Sequence, residues 1–363
     1  MSDGNKGQRV VLVTGVAGYW GSRVAARLAT REDYHVLGLD TEQPAGQRNS
    51  LDFVLADVRN PLLVGLLKAE NVHTVCHLTF HHSIRRSESA FDANVMGTAK
   101  LLGACAEAGV RKVVLKSSTA VYGARATNSA FLGEDHPLRG SRRYGYTRDL
   151  VEIETFCNGF SRRVPKMVLT SLRFASIVGP GADTPMTRFL RTPWAPGLMG
   201  FDPMMQVIHE NDVVAALLHA VKEDVPGAFN IAATDALPLS RIRGLVGKLP
   251  FSVLHMCANW SVSLLGTALL GVKRYLPIDP EYLRYPWVGD LARMEQSLGF
   301  TPHYTTAETL REFAAHLRLG HYRTGPASLA QDAGYMREVI ERRGRTQDHH
   351  TSPDTAVPGD GNG

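Results

Sequence analysis

The chain has no apolar leader. Its opening residues, MSDGNKGQR, are short and polar, so secretion is not expected and a cytoplasmic protein is. Cysteines at metal-ligand spacing are also missing. Cys76, Cys105, Cys157 and Cys257 stand far apart in apolar contexts, which reads as reduced core thiols and no metal site. No charge of one sign dominates: 40 Lys and Arg against 35 Asp and Glu leave a net charge of +5. The arginines are scattered, as at Arg142, Arg143, Arg162 and Arg163, without interleaved aromatics, so nucleic acid is not an expected partner. Long apolar runs are rare. The exception, Val253 to Val272, is only just long enough to span a bilayer. It reads as a helix buried in a smaller domain, the alternatives being a substrate-pocket wall or a weak membrane-surface contact. From Arg343 onward the tail is polar and rich in Gly and Pro, so it is expected to be disordered, its His349-His350 pair included.

What is present is an ordinary globular composition, 44% hydrophobic and 21% charged, in 363 residues. That suffices for one large domain or two. The most informative stretch is Arg9 to Leu28. An apolar run, Val10 to Val13, leads into Gly15, Gly18 and Gly21, and then into a helical pattern with Val24, Ala25 and Leu28 apolar. Strand, glycine turn and helix together leave backbone N–H groups and a helix dipole aimed at one spot, which suits a pyrophosphate. A second strand, His35 to Asp40, ends in an acid about twenty residues past the turn. A carboxylate there can accept both hydroxyls of an adenosine ribose and would repel a 2′-phosphate, which favours NAD. The plainer reading is a strand-end acid in a turn.

Further strands are expected at Leu51 to Ala56, Val72 to Leu78, Lys112 to Lys116, Met167 to Phe174 and Ala228 to Ile231. Helices are expected from Pro61, over Ala90 to Ala108, from Tyr144 to about Phe160, and from Glu210 to about Val221. This alternation predicts an α/β fold, a Rossmann-like doubly wound parallel sheet, with a smaller, mainly helical C-terminal substrate domain. The expected division is a flexible 1–8, an NAD-binding domain at 9–178 to which 207–232 returns, and a substrate-binding part at 179–206 and 233–320. A helical extension at 321–342 and a tail at 343–363 complete it.

Two hydroxyls stand out for chemistry. Ser118 follows a parallel strand, at the sheet edge where ligands bind, and Tyr144 opens a helix. A tyrosine beside a cation and a nicotinamide has a lowered pKa and can take the proton of a substrate alcohol, while a serine hydrogen-bonds the same oxygen.

The motifs TGVAGYWG, ADVRN, HLTF, NVMGT, VLKSSTAVYG, EDHPL, YGYTRDLVE, LRFASIVGP, HENDVVAAL and LGF occur in an order that resembles the extended short-chain dehydrogenases/reductases. More narrowly, it resembles their NAD-dependent epimerase/dehydratase group, which includes nucleotide-sugar 4-epimerases. The likeness spans about Val10 to Phe313. It implies Tyr19 and Trp20 beneath the pyrophosphate, Asp40 on the adenosine ribose, and Asp57 with Val58 beside the adenine. Leu78, Thr79 and Phe80 would line the nicotinamide side, with Asn94 nearby. Ser118 and Tyr144 fall on the catalytic hydroxyls, and Glu152 on a family glutamate. The family's homodimer would pair the helices Ala90–Ala108 and Tyr144–Phe160.

The departures concern activity and substrate. Four residues beyond Tyr144 the family carries lysine, whereas this chain has Arg148. Arginine can support the tyrosine and hydrogen-bond ribose but cannot relay a proton. Ser176 stands where an asparagine is usual, and Met204 to Val207 where an arginine grips the substrate diphosphate. With Met205 at that place, Arg188 or Arg191 would have to serve. His82 reads either as a substrate or ribose contact or as a solvated loop residue. The expectation is therefore an NAD-dependent oxidoreductase or epimerase acting on a secondary alcohol of a small molecule, first a nucleotide sugar. A sterol- or lipid-like alcohol and a non-catalytic NAD sensor are the rivals.

Overall fold

The computed structural model describes residues 8–44, 51–192, 195–249, 251–253, 278–322 and 336–337. The first half alternates strand and helix: β1 (Arg9–Thr14), α1 (Tyr19–Ala29), β2 (Tyr34–Asp40), β3 (Asp52–Leu55), α2 (Leu63–Ala69), β4 (Thr74–His77), α3 (Glu88–Phe91), α4 (Gly97–Ala108), β5 (Lys112–Ser118), α5 (Gly145–Arg163) and β6 (Val168–Phe174). Shorter pieces follow: β7 (Ser176–Val178), α6 (Pro185–Arg191), β8 (Gly197–Leu198), β9 (Met204–Met205), β10 (Val207–His209), α7 (Glu210–Lys222), β11 (Gly227–Ile231), β12 (Leu237–Pro238), α8 (Leu239–Leu245), β13 (Ser252–Val253) and α9 (Thr306–Tyr322).

Seven strands make one sheet in the order β11-β6-β5-β4-β1-β2-β3, all paired in parallel. Its strands read as continuous apolar runs because both faces are covered. Along β1, Val11 and Val13 join a core with Val24, Leu28, Val213 and Leu217 on the α1/α7 side. Val10 and Leu12 join Leu101, Leu102, Ile153 and Phe160 on the α4/α5 side. The described cysteines, Cys76, Cys105 and Cys157, are free and buried in these layers. A compact unit spans Met1–Ala314; Ala315–Gly363 form a second unit, described only at residues 315–322 and 336–337.

Three local differences from the sequence-based expectations have physical reasons. The fifth strand runs on to Ser118, because β6 continues beside it and pairs Ser118 with Phe174. The helix expected over Ala90 to Ala108 opens into a π turn at Asp92–Met96, centred on the buried Asn94, whose side chain reaches the loop after β4 and Asp149 of α5 instead of solvent. Pro61 lies in a turn ahead of α2, and Asn60 accepts the Leu62 N–H there. The apolar run beyond Val253 and the tail from Arg343 lie outside the described residues. Among the described residues, no helix is long and apolar enough to cross a membrane.

One buried ion pair fastens α5 to the sheet. Arg173 of β6 donates to both carboxylate oxygens of Glu154 at 3.1 and 3.0 Å, and Ser171 donates to the same carboxylate. Arg173 also reaches the Tyr122 hydroxyl and the Glu134 carbonyl, each at 2.8 Å. Tyr122 in turn donates to Asn230 of β11. Both charged side chains are 2% exposed, so neither can find water if the other is removed. Arg173→Met is expected to lower unfolding free energy by about 3–5 kcal/mol, read as a drop in the urea midpoint at unchanged slope.

Candidate active site

The strands' carboxyl ends open onto a cleft of about 470 Å³. Its near wall is the glycine turn. Gly15 has φ +75°, and a Cβ there would sit 2.8 Å from the Thr79 nitrogen. A Cβ on Gly21 would lie 2.0 Å from the Gly15 carbonyl oxygen, so only glycine lets α1 seat this closely on the turn. The first N–H groups of α1 have no intrahelical acceptor, and Gly18, Tyr19, Trp20 and Gly21 line the cleft. Asp40 closes the end of β2. Its carboxylate accepts the Ala17 N–H at 2.9 Å and the Thr41 N–H at 2.7 Å, which ties β2 to the turn and places the acid in the cleft wall. A cradle that side chains would fill, followed by a strand-end carboxylate, fits a dinucleotide.

A buried relay sets the floor. The Thr14 hydroxyl and His77 Nδ1 are 2.7 Å apart, His77 Nε2 and the Thr98 hydroxyl 3.1 Å, and Thr98 donates to the Asn94 carbonyl at 2.6 Å. Thr14 Oγ1 also accepts the Leu78 N–H. Burial pushes the His77 imidazole down to about 4, so the ring is neutral. The loop after β4 is pinned by Asn94, whose side chain accepts the His81 N–H at 2.8 Å and donates to the His81 carbonyl at 3.0 Å and to Asp149 at 2.9 Å.

Of the residues singled out from sequence, Gly15, Gly18, Tyr19, Trp20, Gly21, Asp40, Leu78, Thr79, Phe80, His82, Ser118 and Ser176 line this one cleft. Six others do not. Asp57 is chelated by Arg59, at 2.6 Å to Nη2. Val58 is buried in the α4 layer, and Asn94 acts on the loop from behind. Met205 is 1% exposed, in the β9–β12 pair.

Tyr144 and Arg148 are the other two. Tyr144 sits at the extended cap before α5. Arg148 is turned to Asp149 at 2.9 Å and to the Ser87 carbonyl at 3.1 Å, with its guanidinium carbon 4.7 Å from the centre of the Phe91 ring. Glu152 pairs with Arg142 at 3.5 Å. The α5 side chains that line the cleft are Tyr146, Leu150 and Ile153. A two-residue step on a helix is a turn of about 200°, so Arg148 faces away from Tyr146 and Leu150, while Tyr144 precedes the helix in extended backbone.

Sequence reasoning also passed over Lys116. It lines the cleft with its ammonium nitrogen 5.4 Å from the centre of the Trp20 ring. Its signal was a lysine inside an otherwise buried strand, two residues before Ser118. Met186, Ile278, Tyr282 and Trp287 also line the cleft, as does the exposed Asp183, which Arg188 clamps at 2.7 Å through both oxygens.

Sheet order, glycine turn and strand-end acid define a dinucleotide-binding α/β protein. The family described as NAD dependent epimerase/dehydratase matches residues 11–232, and the chain belongs to it. A protein of Mycobacterium tuberculosis without an assigned function is 33% identical over 317 residues, covering 84% of this chain and 83% of that one. A UDP-glucose 4-epimerase of Mycolicibacterium smegmatis is 34% identical over 187 residues, 47% of this chain and 57% of that one. Among solved structures, MoeE5 in complex with UDP-glucose and NAD has a TM-score of 0.63 at 25% identity, covering 85% of this chain and 99% of that one. The chain is thus an NAD-dependent enzyme of the epimerase/dehydratase type, with NAD as its cofactor.

The His77 relay gives a pH dependence. Its folded pKa lies below the unfolded value of about 6.5, so the stability it contributes is whole above that pH. It falls by about 1.4 kcal/mol per unit as pH drops toward the folded value of about 4. His77→Asn removes the term. The stability gap between wild type and this variant is expected to shrink by roughly 2 kcal/mol from pH 7 to about pH 5, read by urea unfolding at both pH values.

Proposed function

We propose that the enzyme oxidises a secondary alcohol of a nucleotide sugar and, in the reverse sense, reduces the ketone. The observation that carries this reading is a single cleft whose lining includes the dinucleotide cradle, Ser118, and also Ser176 and Asp183 beyond the cofactor-binding motif. The likeness to a UDP-glucose 4-epimerase and to a protein holding UDP-glucose and NAD supports the substrate class.

Bound NAD supplies an acceptor for the hydrogen leaving the substrate carbon. Ser118 accepts the Ala120 N–H at 3.2 Å, which orients its hydroxyl at the end of β5 and leaves its proton for the substrate oxygen. A tyrosine from the first turn of α5 takes and returns the alcohol proton. Met205 is a buried, uncharged residue and offers a diphosphate no partner, so the diphosphate is held at the rim. There Arg188 exchanges its carboxylate partner Asp183 for a phosphate oxygen.

A second reading, oxidation of a more apolar alcohol, is favoured by Met186, Ile278, Tyr282 and Trp287 in the lining of the cleft. Incubating the NAD-loaded protein with UDP-hexoses and with 3-hydroxysterols separates the two. Interconversion of sugar epimers or a keto-sugar product is the expected result. NADH accumulation with a sterol alone would favour the second reading, and tight NAD binding with neither substrate converted would overturn both.

A further inference from the structure

We infer that the proton-transferring hydroxyl of this enzyme is Tyr146, and that the cation supporting it is Lys116, delivered from strand β5 and not from helix α5. The inference rests on the alcohol-oxidation reading above and assigns its residues.

The helix comes first. Tyr146, Leu150 and Ile153 line the cleft, so theirs is the reacting face of α5. Four residues beyond Tyr146, one helical turn along that face, stands Leu150. The face therefore offers a phenol and no charge. Arg148 cannot lend one, because it lies on the opposite face and is held by Asp149, the Ser87 carbonyl, Glu88 and the Phe91 ring.

The strand supplies what the helix lacks. β5 carries two lysines. Lys112 is saturated by the Val221 and Glu223 carbonyls and by Asp224. Lys116 lines the cleft two residues before Ser118, with its ammonium against the Trp20 ring. Among the described residues it makes no ion pair or hydrogen bond. A half-buried ammonium with so little compensation is unfavourable unless it serves a ligand or a reaction. Burial brings Lys116 down to about 8, close enough to neutrality for it to give and take protons, which a guanidinium cannot do.

His82 packs beside Tyr146, their ring centres 5.8 Å apart, and desolvation, with the charges of Lys116 and Arg188, pushes its imidazole below the ordinary value. Tyr146 itself is pushed up by burial, so its phenolate needs added positive charge to form. The other ionisable groups packed about β5 are engaged elsewhere: His77 between Thr14 and Thr98, Arg173 with Glu154, Glu210 with the Gly181 N–H and Arg23, Asp212 with the His303 and Tyr304 N–H groups, and Asp183 with Arg188.

The step balances. The substrate alcohol gives its oxygen-bound proton to the Tyr146 phenolate, and its carbon-bound hydrogen with the electron pair to the nicotinamide. The carbon becomes a ketone, and reversal returns both. The Lys116 ammonium lowers the cost of the phenolate throughout.

The test is an ultraviolet titration of tyrosinate in the NAD-saturated protein, which needs no sugar. One tyrosine is expected to ionise well below the ordinary tyrosine range. That transition should vanish in Tyr146→Phe and persist in Tyr144→Phe. In Lys116→Met, or in Lys116→Gln if the methionine variant does not fold, it should rise by about one pH unit, tenfold in proton affinity, with NAD affinity changed by less than about threefold. Lys116→Arg should recover part of the shift. No such transition in wild type, or one that survives Tyr146→Phe, would overturn the assignment. An unmoved transition in Lys116→Met with NAD binding weakened more than about tenfold would make Lys116 a pyrophosphate clamp and overturn its proposed role. Failure to convert any nucleotide sugar would count against the substrate reading and leave this titration unaffected.

Discussion

The arrangement of the active cleft depends on how helix α5 is rotated, and a single buried ion pair sets that rotation. Glu154 and Arg173 are both out of water, and neither has another charged partner within that layer. Turning α5 by one residue would strand two charges in an apolar core, a penalty of several kcal/mol that a few side-chain contacts at the helix N-terminus cannot offset. The helix is therefore indexed from its middle, and its first turn follows.

This explains why the sheet was legible in the sequence and the reacting face of α5 was not. The sheet announces itself through local chemistry. Val10 to Val13 is a two-face apolar run, Gly15 and Gly21 stand where a Cβ would strike backbone, and Asp40 ends the next strand. Each of these signals is contained in a short window. Helix α5 carries two overlapping frames of identical spacing, Tyr144-Arg148-Glu152 and Tyr146-Leu150-Glu154. The first looks more polar and closer to the expected motif. Only a residue on another strand, Arg173, distinguishes them, and its position opposite Glu154 is a product of folding. Lys116 was obscured in the same way, because a strand-end lysine looks solvated until Trp20 and the loop after β4 are placed over it.

The substrate end has a different logic. Met205, read as a diphosphate site without its cation, is a core residue of a two-stranded ribbon. Asp183 and Arg188 stand at the rim instead, as a pair exposed to water on both sides. An exposed pair of this kind holds little energy and gives up one partner readily. The dinucleotide cradle is built of backbone that cannot adjust, whereas Met186, Tyr282 and Trp287 bring side chains that can. Cofactor identity is consequently far more tightly encoded than substrate identity.

Asn94 adds a last consequence. Its amide satisfies both the N–H and the carbonyl of His81, as a neighbouring strand would. One side chain thus extends the hydrogen-bonding of the sheet into a segment that has no strand beside it. The loop bearing His82 becomes scaffold and not lid. A wall made this way is shaped before any ligand arrives, so little of the ligands' binding energy is diverted into ordering it.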